Sequence, residues 1–127
     1  MLYPTNDEVI ATHQHILGLV DTEPGSMVRE WNLLESALVR PRMAAYYEGA
    51  DLFRQAATLL WGLVQNHPFH DGNKRTGWVI MCGFLLVNGW NVVGSEDEQF
   101  ALVVGIAQGL ALDEAEVWLR EHVVAMP

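Results

Sequence analysis

The sequence has little cysteine and little positive charge, and each shortage excludes a class of protein. One cysteine in 127 residues excludes an internal disulfide, and with it the small secreted scaffolds that disulfides stabilise. Seven basic residues against sixteen acidic ones give a net charge of −9. That balance argues against general nucleic-acid binding, which normally requires a basic surface. Half of the residues are hydrophobic, so an intrinsically disordered chain is also excluded.

Long apolar runs are missing as well. The most apolar segment, residues 77–87, is much shorter than the roughly 20 residues that cross a bilayer. Asp7 and Glu8 interrupt the N-terminal region before the apolar core of a signal peptide could form. We therefore expect a cytoplasmic protein without a membrane or nucleic-acid partner. Its length indicates a single domain over residues 1–127 with a hydrophobic core of its own.

The pattern of caps and helix breakers predicts an all-α fold with six helices. They are a helix opened by a capping box at Thr5 and running to about Val20, one over 27–39 that Pro41 ends, one over 51–66, one over 76–87, and two opened by capping boxes at Ser95 and Asp113. The segment 21–25, which contains Pro24 and Gly25, is expected to be a turn. Because the residues of 77–87 are apolar on every side, that helix is expected to be buried at the centre.

Residues 67–76, with the sequence HPFHDGNKRT, concentrate the chemistry of the chain. Pro68 disfavours helix at His67, so the preceding helix should end near Asn66 and leave the imidazole on a loop. Lys74 is the only lysine in the sequence, and with Arg75 it opens the next helix. Helix N-termini attract anions, and a preceding glycine, Gly72, lets a phosphate approach the backbone. The segment therefore predicts a phosphate site.

Two side chains of this loop suggest catalysis. The Asp71 carboxylate is a hard oxygen ligand beside the predicted phosphate site, as Mg²⁺ prefers. The His67 imidazole, with an ordinary pKa of about 6.5, can accept a hydroxyl proton near neutral pH. Phe69 is expected to anchor the loop in the core, and His70 to lie at the rim of the site.

The same segment resembles the motif of the Fic/Doc family, H-P-F-x-[D/E]-G-N-[G/K]-R. The lysine at position 74, followed by Thr76, is similar to the Doc branch, and residues 34–41 and 47–53 also look like Doc-type toxins. Fic adenylyltransferases usually have glycine where Lys74 stands and a second arginine where Trp78 stands. Both departures remove features that hold a nucleotide for attack at its α-phosphorus.

The resemblance implies a compact six-helix Fic/Doc bundle with a short flap at residues 40–49. It also implies transfer of the γ-phosphate of ATP, with Mg²⁺, to a Ser or Thr hydroxyl of a translation factor, elongation factor Tu being the target expected. In this scheme His67 is the base, Asp71 holds the metal, and the residues that hold phosphates are Gly72, Asn73, Lys74 and Arg75. Transfer of AMP by a Fic-type reaction is the alternative.

A resemblance to Doc also implies a partner. Many Fic proteins carry an inhibitory motif [S/T]-x-x-x-E-[G/N], and the Glu48-Gly49 pair here has Ala44 in place of the required hydroxyl. A separate antitoxin is therefore expected, with a disordered tail that folds as a helix into an apolar groove. Residues 94–127 carry seven acidic side chains against Arg120 alone. This surface favours a basic partner segment, and an ordinary solvated face is the alternative.

Two more distant interpretations remain open. His70-Asp71 resembles the doublet of HD-type metal phosphohydrolases, which need further ligands that converge on a metal. The second interpretation is a non-catalytic member of the family that only binds a partner. Such a protein would be expected to have lost motif residues, and none is lost here. His13 and His15 are two positions apart and face different sides of a helix, so they cannot share a metal and are expected at the surface.

Overall fold

Six helices and one two-stranded sheet make up the described part of the chain. The structure, a computed structural model, describes residues 1–19, 23 and 25–127. The helices are α1 (Asn6–Leu17), α2 (Trp31–Glu48), α3 (Leu52–Asn66), α4 (Asn73–Val87), α5 (Glu96–Ala107) and α6 (Leu112–Glu121). Strands β1 (Trp90–Val92) and β2 (Val123–Ala125) pair antiparallel, with Trp90 opposite Ala125. The predicted all-α class with six helices is confirmed, although the small sheet was not expected.

Local signals set most helix starts. The side chains of Thr5, Asp51 and Ser95 each accept a backbone N–H of the first turn of α1, α3 and α5. The helix α1 ends at Leu17, earlier than predicted, because Gly18 adopts a left-handed conformation at φ 69°. Such a glycine commonly ends a helix. Of the turn expected at 21–25, residues 21, 22 and 24 lie outside the described residues, as does residue 20.

The predicted end of the second helix at Pro41 is wrong. The helix α2 begins at Trp31, later than the predicted start at residue 27, and continues to Glu48 with Pro41 inside it. Residues 40–48 are therefore helix, and the flap expected at 40–49 is absent there. A proline inside a helix costs about 3 kcal/mol. Burial offsets that cost, because the buried face of α2 passes through the proline: Leu34, Ala37, Leu38, Pro41 and Ala44. Ala37 also lies close to Gly62 of α3.

The most buried helix is α3, which packs against α2, α4 and α6. The expectation that α4 has neighbours all round is wrong for one face, where Val79, Leu86 and Val87 are about half exposed. Its other face, with Ile80, Met81, Phe84 and Leu85, is buried in the core. An apolar face of α4 is thus left at the surface.

Ion pairs connect α6 to α3. The helix α6 begins after Ala111, which has no side-chain capping bond, so the capping box predicted at Asp113 is wrong. Asp113 instead lies 2.6 Å from Arg54 of α3, while Arg120 lies 2.7 Å from Asp51 at the start of that helix. None of the described helices has both the length and the apolar character that a membrane span needs.

Candidate active site

The backbone of His67 lies in an uncommon conformation. The helix α3 ends at Asn66 as predicted, and His67 follows with φ 51° and ψ 56°. Within the described ranges it is the one non-glycine residue with positive φ. Such conformations are costly and cluster at functional sites. Arg29 supports this turn, because its Nε donates to the carbonyl of His67 at 2.9 Å and its Nη2 to that of Asn66 at 3.1 Å.

Residues 27–29 form backbone hydrogen bonds with the loop of residues 67–72, which we call the motif loop. Val28 and Phe69 form an isolated antiparallel bridge. The Arg29 N–H donates to the carbonyl of Pro68 at 2.7 Å, and the His70 N–H donates to that of Met27 at 3.0 Å. Phe69 is only 1% exposed, which confirms its role as an anchor in the core.

The side chain of Asn73 links two parts of the motif loop by hydrogen bonds to the backbone of Phe69. Its Oδ1 accepts the N–H of Phe69 and its Nδ2 donates to the carbonyl of Phe69, both at 2.9 Å. Asn73 is 4% exposed, and both polar atoms of its side chain are bonded to the backbone of Phe69. What remains for a phosphate at this position is the backbone N–H at the start of α4.

His13 of α1 also holds the loop, a contact that the sequence interpretation missed. Its Nε2 lies 2.7 Å from the carbonyl oxygen of Asp71, and its ring stacks on Phe69 with 3.9 Å between centroids. His13 is 1% exposed, so the surface position predicted for it is wrong, whereas His15 is exposed as expected. The helical spacing of Val9, Ile10 and His13, all buried on α1, is the signal that could have identified it.

The N-terminus of α4 forms a basic pocket wall. The first helical hydrogen bond runs from the Thr76 N–H to the carbonyl of Gly72 at 3.0 Å, so the N–H groups of residues 73–75 precede the intrahelical ladder. Lys74 and Arg75 are exposed. Neither forms an ion pair with a carboxylate anywhere in the described residues. Two unpaired cations at the positive end of a helix are an arrangement that attracts anions.

One cavity of about 210 Å³ brings the six predicted site residues together. Its lining consists of His67, Asp71, Gly72, Asn73, Lys74 and Arg75, with Val64 and Ala107. The Asp71 side chain is exposed, and its Oδ1 accepts the Gly72 N–H at 2.8 Å. A proton acceptor, a carboxylate and two cations thus share one small, open space, which we call the motif cavity.

Two apolar grooves flank α4. The α4–α5 groove, about 410 Å³, is lined by Lys74, Arg75, Trp78, Val79, Glu96, Gln99, Phe100, Val103 and Val104. The α1–α4 groove, about 380 Å³, is lined by Leu2, Tyr3, Pro4, Glu8, Thr12, Val79, Ile80, Gly83, Phe84 and Val87. Val79 lines both grooves, and the first groove shares Lys74 and Arg75 with the motif cavity.

The structure shows a mostly helical protein in which a histidine-bearing loop precedes α4, with two exposed cations in the first turn of that helix. Comparison with known proteins gives the family. A model of the Fic/DOC family matches residues 3–85, which is well over half of the chain. The chain therefore belongs to the Fic/Doc family, as its motif residues suggested.

Curated relatives are of the Doc type. Toxin Doc of Mycolicibacterium smegmatis is 40% identical over 74 residues, an alignment that covers 55% of this chain and 55% of that protein. Protein kinase doc of Escherichia phage P1 is 34% identical over 110 residues, which is 86% of this chain and 85% of the relative. The match to the first relative thus spans about half of its length, whereas the match to the second spans most of it.

Proposed function

We propose that this protein is a Doc-like toxin that transfers the γ-phosphate of ATP to a Ser or Thr hydroxyl of a translation factor, elongation factor Tu being the first candidate. The observation that carries this proposal is the motif cavity, in which His67, Asp71 and the cations of α4 face one space. Relatives named as a toxin and as a protein kinase support it.

The residues have separate roles in this reaction. The His67 imidazole accepts the proton of the target hydroxyl, whose oxygen forms a bond to the γ-phosphorus. The bond between that phosphorus and the bridging oxygen breaks, and ADP leaves. Lys74, Arg75 and the backbone N–H groups that follow Gly72 hold the phosphates and stabilise their charge.

The residues present also fit a magnesium ion. Mg²⁺ is usually held by one or two carboxylates together with substrate phosphates, and the exposed Asp71 carboxylate borders the motif cavity. When bound, Mg²⁺ supplies charge neutralisation on the phosphates. A cage built from protein ligands alone has no support here: the described residues contain no group of three His, Cys, Asp or Glu side chains placed to hold a metal. The HD-type alternative needs such a group.

The test of this function is a labelling experiment. The purified protein is incubated with elongation factor Tu, and in parallel with the other translation factors, in the presence of ATP labelled at either the α- or the γ-phosphorus. Label transferred from the γ position alone supports the kinase, whereas label from the α position supports the alternative, AMP transfer. No transfer of either label to any translation factor would leave the non-catalytic binding module as the better interpretation.

We also propose an antitoxin partner, whose helical segment occupies the α1–α4 groove. The exposed Val87 and the partly exposed Val79 give this groove an apolar floor on the free face of α4. Apolar grooves of this kind bind amphipathic helices. A segment seated there contacts Val79, which also lines the α4–α5 groove together with Lys74 and Arg75.

The antitoxin proposal is tested by neutralisation. Val87→Asp places a charge in the α1–α4 groove and should abolish rescue of growth by the small protein encoded beside this gene. Val117→Asp is the matched control, since Val117 is similarly exposed on α6. If both variants are neutralised like the wild type, the partner binds elsewhere.

A further inference from the structure

We infer that the exposed side of α2 binds the same side of a second copy of this chain, with the two helices antiparallel. This side lies opposite the residues that α2 buries against the core. With about 3.6 residues per turn and a rise of about 1.5 Å per residue, it forms one continuous strip about 24 Å long. We call this strip the α2 face, and all of its side chains are exposed: Trp31, Asn32, Glu35, Val39, Arg42, Met43, Tyr46 and Tyr47.

The α2 face is rich in the residue types that protein interfaces prefer. Tyr46 and Tyr47 are 81% and 70% exposed, and Trp31, Val39 and Met43 are each a little under half exposed. The two tyrosine rings already pack edge to face, with 4.8 Å between centroids. Tryptophan, tyrosine, methionine and arginine are enriched in interfaces, and a contiguous apolar strip at the surface typically marks an interaction site.

The charge of α2 differs from that of the whole chain. The helix contains two acidic residues, Glu35 and Glu48, and two basic residues, Arg40 and Arg42, so its net charge is zero. The whole chain carries −9, and two copies therefore repel each other at most of their surface. At α2 they can approach without a net repulsion between like charges.

The α2 face is complementary to itself in the antiparallel direction. In a two-fold dimer, if residue i contacts residue j of the second copy, residue j also contacts residue i of the second copy. With the axis beside Val39, Glu35 of each copy lies next to Arg42 of the other, and Trp31 lies next to Tyr46. The two members of each pair are equally far from the axis along the helix. A parallel pair would instead bring Glu35 against Glu35.

The two charged residues of the α2 face are available for these contacts. Neither Glu35 nor Arg42 forms an ion pair within the part of the chain that the structure describes. The guanidinium of Arg42 lies over the ring of Tyr3, 4.8 Å from its centroid, and remains exposed. Charge complementarity across the axis thus supports a second copy as the partner.

Sedimentation equilibrium of the purified protein over roughly 1 to 500 µM tests this inference, because one helix face is smaller than a standard interface and a micromolar dissociation constant is expected. The wild type should show a monomer–dimer equilibrium. Val39→Asp places two carboxylates together at the axis and should raise the dissociation constant about tenfold or more. Val117→Asp is the matched control, because Val117 is exposed on α6, outside the α2 face.

Charge reversal tests the antiparallel direction. Glu35→Arg brings two cations together at each of the two symmetric contacts, and Arg42→Glu brings two carboxylates together. Each should therefore raise the dissociation constant about fivefold. The double variant, Glu35→Arg with Arg42→Glu, again pairs opposite charges and should return to the wild-type value. Both positions are exposed, so these variants keep the inference testable if Val39→Asp fails to fold.

The opposite results are equally specific. A wild type that stays monomeric at every concentration would overturn the dimer, as would equal dissociation constants of the wild type and a folded Val39→Asp protein. Single charge reversals without effect, or a double variant as weak as the single ones, would overturn the antiparallel pairing. A monomeric wild type whose binding to elongation factor Tu is weakened by Val39→Asp would assign the α2 face to the target protein instead.

Discussion

His13 fixes the carbonyl of Asp71: its Nε2 lies 2.7 Å from that oxygen, and its ring stacks on Phe69 at 3.9 Å. A backbone carbonyl only accepts, so the proton of the imidazole lies on Nε2. Through this side chain, α1 contacts the backbone of the residue that supplies the carboxylate of the motif cavity. His13 is thus a positioning residue for Asp71.

His13→Phe keeps the stacking but removes the hydrogen bond, and should reduce kcat for phosphate transfer about 10²-fold, since small displacements of a catalytic group have effects of that size. His15→Phe is the control, because His15 lies on the same helix and is exposed. Thermal melting shows whether the fold survives. Full activity of a folded His13→Phe protein would contradict the positioning role.

Replacement of His67 should abolish phosphate transfer and growth arrest, because loss of a general base typically reduces the rate about 10²- to 10⁴-fold. Since His67 has φ 51°, both His67→Ala and His67→Asn should be measured, as asparagine tolerates this conformation better than alanine. His70→Ala is the control in the same loop. Growth arrest by a folded His67→Asn protein would exclude His67 as the base.

Asp71→Asn should lower turnover sharply, and excess Mg²⁺ should restore only part of it. The substitution retains an oxygen for the bond from the Gly72 N–H, so it changes the charge more than the loop. Asp97→Asn, at an exposed carboxylate of α5, should have no effect. Full activity of the wild-type protein in EDTA would refute the metal role.

Gly72→Ala should reduce both stability and activity. Gly72 has φ 77°, and an added Cβ would lie 3.1 Å from the Leu17 side chain. Gly18 is a matched control, because it has φ 69° but nothing within 4 Å of an added Cβ. Both alanine variants should lose about 1–3 kcal/mol of stability to the backbone conformation, whereas phosphate transfer should fall only in Gly72→Ala. Equal activities would argue against close approach of a phosphate at this glycine.

Stability should depend on pH through His122. The carbonyl of Trp118, which accepts from Nδ1 at 2.7 Å, raises the pKa of His122 above its ordinary 6.5, and the nearby Glu98 carboxylate raises it further. A raised pKa in the folded state means that the contribution is complete below pH 6.5 and is lost as the pH rises through the folded value. The difference in unfolding free energy between wild type and His122→Asn should therefore shrink from about pH 6 to about pH 8. Urea titrations at several pH values measure it, and a constant difference would contradict the assignment.

Most of the fold could be predicted from local signals. The main error of the prediction, the end of α2, shows where such signals fail. Thr5, Asp51 and Ser95 cap helices in the folded protein because a cap depends only on neighbours in sequence. Pro41 should have ended α2 by the same local rules. Packing against α3 overrides them, since the apolar stripe of α2 continues on both sides of the proline.

The residues that line the candidate site could be predicted, but the residues that hold its loop in place could not. The sequence places His67, Asp71 and the cations within one short segment, so their proximity in the motif cavity follows from the chain itself. The loop is held by hydrogen bonds from Arg29 and His13, which are distant from it in sequence. The phosphate contact predicted for Asn73 stays a prediction. The bonds of its side chain to the backbone of Phe69 were not predicted, because such a contact depends on the folded shape of the loop.

Val79 belongs to both grooves of α4, and this has a thermodynamic consequence. Val79 thus lies between a segment bound in the α1–α4 groove and the groove that contains Lys74 and Arg75. If antitoxin binding changes the affinity for phosphates at these cations, phosphates must change the affinity for the antitoxin by the same factor. The cellular ATP concentration would then help to set how much of the toxin is bound by its antitoxin.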